Sequence, residues 1–368
     1  ELDADQLIRQ ADQAMFQAKQ SGKSRIVYFD TEQDKHIRGR FQNIARIKIG
    51  LRHKEFELYY QPKVNMRTGQ VYGLEGLIRW HHPTQGLLSP QQFLPALDNH
   101  HFSITLGEWV IEQALNMIEQ LHQQGLAIPI SVNIDAVHIQ QPDFVSMLTE
   151  QLKAHPIVKP VLWELEILER AALNDIVHVS HVIDECKRLG VRIALDDFGT
   201  GYSSLTYLKR LKANSLKIDK SFVRDMLSDP DDLAILEGVI GLATAFQRNV
   251  VAEGVETEQH IKLLLRLGCD IGQGYAFARP LPSNQITNWV ENWNATHKPI
   301  SVKRIEPAHI PVLYAMVENR AWVKQLKQYM QGFSGYPPEL NQSSYPLDNW
   351  LSSKPLQELE NSSQVQTL

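Results

Sequence analysis

Two adjacent carboxylates, Asp196 and Asp197, end an apolar run within residues 191–205, VRIALDDFGTGYSSL. The run is partly β-branched and predicts a buried strand, while Gly199 and Gly201 predict a loop directly after it. Adjacent carboxylates repel each other and are unfavourable at the mouth of an apolar strand, but a divalent cation between them reverses that preference. For this pair alone, a solvent-exposed turn carrying two hydrated acids is the alternative interpretation.

Similar polar residues recur at other apolar, strand-like runs along the chain. Each one could be a satisfied polar residue in a strand, but seven successive runs that each deliver one are hard to explain as coincidence. The residues are Glu75, Asn133, Glu166, Glu169, Asp196, Asp197, Lys217, Asp219, Glu253, Glu256 and Gln273. So many acids around one site cannot all stay ionised without cations. Because the candidate ligands offer oxygen, and neither Cys nor His, the pattern favours Mg²⁺ or Mn²⁺ over zinc.

The runs that carry these residues alternate with amphipathic, helix-compatible segments over residues 56–293. Eight strands over roughly 240 residues match the size of a (β/α)8 barrel, whose functional end is the C-terminal end of its strands. The first connection, NMRTGQ, is too short for a crossover helix and predicts a hairpin turn, so one strand runs antiparallel. We therefore predict an α/β fold, a TIM-like (β/α)8 barrel with one antiparallel strand, an N-terminal helical junction and a C-terminal extension.

The composition is that of an ordinary globular protein, with 43% hydrophobic residues among 368 and a formal net charge of −5. The mild acidity disfavours binding to a nucleic-acid polymer. The sequence contains no apolar run that could span a bilayer and no signal-peptide core, so we expect no membrane contact within this stretch. Cys186 and Cys269 form no metal-type cluster, and a reduced, cytoplasmic setting is expected, with an upstream anchor in the full-length protein left open.

Seven ordered segments resemble the motifs of the EAL-domain cyclic di-GMP phosphodiesterases: GLEGLIRW, SVN, WELEILE, LDDFGTGYSSL, LKIDKSF, VVAEGVET and GQGYAFARP. The resemblance covers residues 56–293, and it is specific because the motifs are long and follow the family's order. It implies metal-dependent hydrolysis of cyclic di-GMP to linear pGpG by a two-metal, in-line mechanism. It also implies two Mg²⁺ or Mn²⁺ ions per site and a homodimer coupled to the DFGTGYSS loop.

The resemblance assigns roles to the matching positions. The implied metal ligands are Glu75, Asn133, Glu166, Asp196, Asp197 and Glu253, with Asp196 shared between two ions. Lys217, Glu253 and Glu75 are the implied catalytic residues. Lys217 would orient the attacking water with its pKa lowered by the nearby ions, and the choice of Lys217 or Glu253 as base stays open. Glu169 and Asp219 would secure the loop. The implied substrate contacts are Gln61, Leu77, Arg79, Gln273, Tyr275 and Glu256, although Arg79 could instead form a rim salt bridge.

Four positions depart from the family's usual residues. Gly76 replaces Ala, which we expect to loosen a strand at a cost below ~1 kcal/mol. Asp98 replaces Glu and puts a peripheral loop contact in doubt. Asp135 and Leu168 replace small hydroxyl residues, and Leu168 could weaken the support of the site.

The segment DADQLIRQADQAMFQAKQSGKSR resembles the C-terminal end of a GGDEF-type domain, although the motif that names such a domain is absent. We therefore predict a GGDEF-like remnant at residues 1–30 and a connecting helix at 31–54. The barrel follows at 55–298. Residues 299–368 form an extension of unknown role, in which PVLYAMVENRAWVKQLKQYMQG predicts one or two helices.

The main hypothesis is a cyclic di-GMP phosphodiesterase, and a catalytically silent receptor for the dinucleotide is the alternative. Silent relatives typically lose the metal acids or the DDFG segment, whereas this sequence keeps all of them. A metal-binding barrel that acts on other phosphodiesters is a third possibility, disfavoured because the guanine-site residues also match. Turnover with Mg²⁺ or Mn²⁺, compared with EDTA, discriminates between enzyme and receptor.

Overall fold

The structure is a computed structural model that describes Met15, residues 31–201, residues 205–331 and Phe333. The predicted GGDEF-like remnant lies outside the described residues apart from Met15, as do residues 202–204 of the DFGTGYSS loop and most of the extension after residue 331. The chain forms two compact units. The first contains residues 79–100 and those up to 57, and the second contains residues 58–78 and those from 101 onward.

The described strands belong to one mixed sheet. They are β1 (Phe56–Asn65), β2 (Val71–His82), β3 (Gly86–Leu88), β4 (Ile130–Ile134), β5 (Trp163–Leu168), β6 (Arg192–Phe198), β7 (Ser215–Ile218), β8 (Asn249–Ala252), β9 (Ile271–Gln273) and β10 (Leu281–Pro282).

Eight of these strands close into a barrel. The order around the ring is β1, β2, β4, β5, β6, β7, β8 and β9, because β1 pairs with both β9 and β2. Neighbours from β2 to β9 run parallel, whereas β1 is antiparallel to β9. The short strands β3 and β10 pair antiparallel with β2 and β1. The predicted TIM-like barrel with one antiparallel strand is confirmed.

Helices follow most of the strands. The α-helices of the described residues are α1 (Thr31–Arg52), α2 (Pro90–Phe93), α3 (Phe102–Gln123), α4 (Ala136–Ile139), α5 (Phe144–Ala154), α6 (Glu169–Asn174), α7 (Ile176–Leu189), α8 (Leu205–Arg210), α9 (Lys220–Asp225), α10 (Pro230–Ala245), α11 (Glu258–Leu267), α12 (Ile286–Thr296) and α13 (Ile310–Met330). Short 3₁₀ turns lie at Leu94–Leu97, Pro160–Leu162, Ser283–Gln285 and Pro307–His309.

The helix α7 illustrates how the sequence builds one βα layer of the barrel. Asp175 caps its N-terminus by accepting a hydrogen bond from the backbone N–H of His178, and Gly190 ends it in the left-handed conformation at φ 85°. Its buried side chains recur at helical spacing on one face, at Val179, Val182, Ile183 and Cys186. That face packs towards β6, so the strand is covered from outside the barrel.

The first unit has a small aromatic core. Trp80 stacks on Phe56 with ring centroids 5.1 Å apart and meets Phe93 edge-on at 5.5 Å. Arg46 from α1 donates to both carboxylate oxygens of Glu55, and the indole N–H of Trp80 donates to Glu55 Oε2 at 2.8 Å. The helix α1 thus occupies most of predicted segment 31–54, while its role as a connector stays a prediction.

The described part of the extension beyond the barrel contains a long helix in the second unit, preceded by residues 299–306 without regular secondary structure. Residues 310–330 form one helix, α13, in which Leu313 and Val317 are buried. The hydroxyl of Tyr314 donates to Oε2 of Glu237 in α10 at 2.9 Å. Across the described residues, we find no helix with the length and apolar character required to cross a membrane.

Candidate metal centre and active site

The carboxyl ends of the parallel strands bring the predicted ligands to one region of the second unit. Glu75 lies on β2, Asn133 on β4, Glu166 on β5 and Asp196 on β6, and Glu253 directly follows β8. Because neighbouring parallel strands are in register, Asn133 lies directly opposite Glu166 on the adjacent strand. Sequence positions nearly 180 residues apart therefore meet at the end of one barrel.

Two groups of acids could each hold a metal ion. The first group contains Glu75, Glu166 and Asp196, and the second contains Asp196, Asp197 and Glu253. In each group, one oxygen from every residue lies within 4.8 Å of the others. Asp196 belongs to both groups, in agreement with the shared position that the family resemblance implies. The structure thus brings five of the six predicted ligands into two overlapping clusters.

A backbone irregularity lets two consecutive aspartates face the same site. Side chains of successive strand residues normally point to opposite faces of a sheet. Here the register between β6 and β7 shifts between Leu195 and Phe198, and Asp197 adopts a positive φ of 53°. Such a bulge redirects a side chain, and a left-handed aspartate stores strain that the surrounding structure must offset. The strand extends to Phe198, beyond the pair where the sequence predicted its end.

Lys217 on β7 lies at the centre of the acids and is fully buried. Its Nζ atom is 2.5 Å from Glu166 Oε2, 2.7 Å from Glu253 Oε1 and 3.1 Å from Asp196 Oδ1. Burial alone lowers the pKa of Lys217, but the surrounding carboxylates raise that pKa well above its usual value. The sequence prediction of a lowered pKa depended on bound ions. With the carboxylates alone, the shift has the opposite direction.

The acids differ in how their surroundings shift their pKa values. Burial, followed by repulsion from Glu166, raises the pKa of Glu75 to about 7, and burial raises the pKa of Glu253 to about 8. Burial, followed by the charge of Asp196, raises the pKa of Asp197 to about 6. Burial acts in the same direction on Glu166, but two buried lysines outweigh it and hold the pKa of Glu166 far below its usual range. The cluster therefore carries more acids than its lysines neutralise.

Side-chain amides orient Glu75. Asn133 Nδ2 donates to Glu75 Oε1 at 2.8 Å, and Gln273 Nε2 donates to Glu75 Oε2 at 2.5 Å. Gln273 also donates to Gln61 Oε1 at 3.2 Å, so two of the predicted substrate contacts lie beside a predicted metal ligand. Among the described side chains, the buried Gln273 Oε1 is one of few polar atoms that have no hydrogen-bond partner.

A second buried lysine, Lys63 on β1, belongs to the site although it lies outside the seven motifs. Its Nζ atom lies 2.6 Å from Glu166 Oε1, 3.3 Å from Glu164 Oε1 and 2.7 Å from Ser131 Oγ. The other oxygen of Glu164 lies 3.3 Å from both Ser215 Oγ and Arg192 Nη2. The signal in the sequence was the two-residue spacing of Gln61 and Lys63 and of Glu164 and Glu166, which places each pair on one face of its strand.

The two predicted loop-supporting residues both lie close to the bulge. Glu169 Oε2 accepts a hydrogen bond from the backbone N–H of Gly199 at 3.0 Å, and a Cβ atom on Gly201 would lie 2.9 Å from Glu169 Oε1. Asp219 accepts from the N–H of Ser221 at 2.9 Å and shares a hydrogen bond with the carboxyl group of Asp197. Glu169 and Asp219 therefore contact Gly199 and Asp197, which belong to the part of the DFGTGYSS loop that the structure describes.

The remaining predicted substrate residues differ in their exposure and contacts. Leu77 follows Glu75 on the same face of β2 and is half-buried. Tyr275 is exposed, with the guanidinium carbon of Arg279 4.4 Å from its ring centroid. Glu256 is exposed, and its backbone N–H donates to His260 Nδ1 at 3.3 Å. Arg79 lies on the part of β2 that belongs to the first unit.

The structure shows what surrounds the four residues that differ from the family's usual ones. A Cβ atom on Gly76 would lie 3.2 Å from Val132 Cγ1, so the strands close over the missing methyl group. Asp135 caps α4, accepting from the N–H of Val137 at 2.8 Å and from Ser103 Oγ at 3.1 Å. Leu168 is 42% exposed at the end of β5, and Asp98 is exposed at the end of a 3₁₀ turn.

The donor set fits a hard divalent cation. All candidate ligands of the two groups are carboxylates, and the excess of acid over buried lysine disfavours full ionisation without additional positive charge. Glu75 or Glu253 can hold a proton in place of a cation, as their raised pKa values indicate. These acidic clusters could therefore bind metal.

Comparisons with known proteins give the family. A family model described as the EAL domain matches residues 44–280. The bifunctional diguanylate cyclase/cyclic di-GMP phosphodiesterase MucR of Pseudomonas aeruginosa is 36% identical over 282 residues, which cover 76% of this chain and 41% of MucR. Cyclic di-GMP phosphodiesterase NbdA of the same organism is 34% identical over 279 residues, which cover 76% of this chain and 36% of NbdA. The chain spans less than half the length of these curated relatives.

Solved structures of EAL-type enzymes also align with this chain. The PaMucR phosphodiesterase in complex with c-di-GMP aligns with a TM-score of 0.65 and 37% identity, covering 67% of this chain and 99% of that one. The EAL enzyme Bd1971, in its cAMP- and cyclic-di-GMP-bound form, aligns with a TM-score of 0.67 and 31% identity, covering 79% of this chain and 76% of that one. This chain belongs to the EAL domain family.

Proposed function

We propose that this chain hydrolyses cyclic di-GMP to linear pGpG. The observation that carries the proposal is the meeting of two acid groups that share Asp196 at the carboxyl end of the barrel. Relatives named as cyclic di-GMP phosphodiesterases, and a homologous structure in complex with c-di-GMP, support the choice of substrate.

Two divalent ions, Mg²⁺ or Mn²⁺, would be held by the two acid groups, with Asn133 completing the first. When bound, such ions stabilise negative charge developing at phosphorus and lower the pKa of an attacking water. Six predicted ligands, Glu75, Asn133, Glu166, Asp196, Asp197 and Glu253, supply oxygen donors only, which agrees with hard ions.

In the proposed reaction, water attacks one phosphorus atom and the opposite P–O3′ ester bond breaks. The attacking water loses a proton, the leaving 3′-oxygen gains one, and the product keeps its 5′-phosphate. Lys217 lies among Glu166, Asp196 and Glu253, where its ammonium group would orient the water and neutralise developing charge. The proton of the water would go to ionised Glu253, whose pKa burial raises to about 8, or to Lys217 in the neutral form that bound ions would favour.

The proposed substrate contacts are Gln61, Leu77, Arg79, Gln273, Tyr275 and Glu256. Gln273 and Gln61 are joined by a hydrogen bond, and Gln273 donates to Glu75, so a substrate held by these amides would lie against a ligand carboxylate. We also propose a homodimer coupled through the DFGTGYSS loop, which Glu169 reaches through Gly199. The proposed domains are a GGDEF-like remnant at residues 1–30, a connecting helix at 31–54, the barrel at 55–298 and an extension at 299–368. The proposed location is the cytoplasm.

A silent cyclic di-GMP receptor is the alternative. Incubation of the protein with cyclic di-GMP and Mg²⁺ or Mn²⁺, followed by chromatography, tests both functions. We expect pGpG with either ion, no product in EDTA, and no product from Glu75→Ala with its far-UV circular dichroism unchanged. Tight binding without pGpG in either metal would contradict the enzyme and favour the receptor.

A further inference from the structure

A basic cavity lies between α11, residues 301–305 and α13 in the second unit. Its volume is about 640 Å³. This volume lies within the range of small-molecule sites, which is about 300–1,000 Å³. Most of its lining residues come after residue 280, where the match to the EAL family model ends. The basic cavity is therefore built largely from the extension to which the sequence assigned no role.

The lining of the basic cavity contains cationic side chains and no acidic ones. Five lysine and arginine side chains line it; the five are Lys262, Arg266, Lys303, Arg304 and Arg320. Acids outside the lining contact some of its side chains: Glu258 lies 2.8 Å from Lys262, Asp270 lies 3.6 Å from Arg304, and Glu306 lies 3.8 Å from His309. In a chain of net charge −5, this concentration of cations favours a multiply charged anion.

The wall between α11 and α13 is fixed by hydrogen bonds. The backbone N–H of Ile300 donates to Arg67 O at 3.0 Å, and the N–H of Ile305 donates to Arg266 O at 2.9 Å. Between them, Arg67 Nη1 donates to Val302 O at 2.5 Å. Contacts at both ends and in the middle hold residues 300–305 against the barrel, so the basic cavity has a preformed shape.

The floor of the basic cavity is apolar. Its accessible apolar surface comes from the half-buried Ile305 and Met316, and Leu263, Leu313 and Val317 are packed beneath them at no more than 4% exposure. An inorganic anion would use only the cationic rim, whereas a ligand with a flat apolar body would also cover this floor. Guanidinium groups match phosphate oxygens in a two-point geometry, which favours phosphate among anions.

We propose that the basic cavity is a second ligand site, which binds a nucleoside polyphosphate. The phosphates contact the cationic rim, including Arg320 on α13 and Lys303 on the fixed wall, and the base covers the apolar floor. This site is separate from the acid cluster at the carboxyl end of the strands and requires no divalent metal. Its existence does not depend on the proposed hydrolysis of cyclic di-GMP.

Isothermal titration calorimetry with ATP tests this site. ATP is titrated into the full chain in EDTA, so that metal-dependent binding at the acid cluster is suppressed, and adenosine and inorganic triphosphate serve as partial ligands. We expect one ATP per chain, weaker binding of triphosphate and no binding of adenosine alone. An absence of ATP binding up to millimolar concentration overturns the proposal, and triphosphate binding as tightly as ATP overturns the nucleoside part.

Charge-reversal variants locate the site. Lys303 and Arg320 are exposed, so Lys303→Glu with Arg320→Glu alters the rim without removing buried packing, and we expect at least a tenfold loss of ATP affinity. The matched control, Lys159→Glu with Arg188→Glu, makes the same charge change at exposed positions outside the basic cavity, and its affinity should stay within twofold. Equal affinity in both variants, or equal loss in both, contradicts binding in the basic cavity.

Discussion

Lys63 Nζ lies 2.6 Å from Glu166 Oε1, on the opposite side of the carboxylate from Lys217, whose Nζ lies 2.5 Å from Oε2. Each oxygen of Glu166 is therefore held by a different buried ammonium group. The pair of lysines explains why Glu166 stays ionised in the interior of the barrel, while burial raises the pKa of Glu75. Glu166 is thereby fixed in charge and orientation before any ligand binds.

Removing Lys63 should destabilise the barrel. Lys63→Met keeps much of the side-chain volume but leaves Glu164 and Glu166 buried without their shared counter-ion, so we expect a loss of about 3–5 kcal/mol in the free energy of unfolding. Urea denaturation measures this loss. Lys153→Met, at an exposed position, serves as the control and should change stability by less than about 0.5 kcal/mol. A loss below about 1 kcal/mol for Lys63→Met would contradict the counter-ion role.

Glu169 should act through the loop that carries Asp197. Glu169→Ala removes the acceptor for the Gly199 N–H, so we expect the rate of the proposed cyclic di-GMP hydrolysis to fall about 10–100-fold, as is typical when a group supporting ligands is lost. Glu150→Ala, on an exposed helix face, is the control and should leave the rate unchanged. An unchanged rate in Glu169→Ala would show that the loop holds its conformation without this hydrogen bond.

Restoring the family's usual alanine should have little effect. Alanine removes the entropic cost of glycine in a strand, about 0.5–1 kcal/mol, but its Cβ would lie 3.2 Å from Val132 Cγ1 and 3.4 Å from Leu58 Cδ1. These effects oppose each other, so Gly76→Ala should change the free energy of unfolding by less than about 1 kcal/mol. Denaturant melts check this, and a loss above about 2 kcal/mol would show that the strands cannot move apart.

Metal binding should release protons in a defined pH window. In the metal-free protein the pKa of Glu75 is raised to about 7 and that of Glu253 to about 8, so both groups hold protons below these values. Cations need the ionised carboxylates. The affinity for Mg²⁺ should therefore rise from pH 6 to pH 8.5, with release of about one to two protons near pH 6. Calorimetry in buffers of different ionisation enthalpy measures this release, and a pH-independent affinity would contradict it.

Much of the fold was predictable because its signals are local. The short NMRTGQ connection predicted one antiparallel strand, which is β1, and polar residues at strand ends predicted convergence, since parallel strands share one carboxyl end. The positive φ of Asp197 was not predictable, because nothing in the letters Asp-Asp distinguishes a bulge from a regular strand. Lys63 was missed for a different reason: its partners Glu164 and Glu166 lie about 100 residues away, and their distances depend on the register of the closed barrel.

The two acid groups are expected to bind divalent cations through their shared residue, Asp196. Electron paramagnetic resonance, in the presence of a non-hydrolysable cyclic di-GMP analogue, counts the Mn²⁺ ions bound per chain. We predict two ions in the unaltered protein and at most one weakly bound ion in Asp196→Asn. Retention of two tightly bound ions by Asp196→Asn, or an absence of bound Mn²⁺ in the unaltered protein, would show that Asp196 does not join two metal sites.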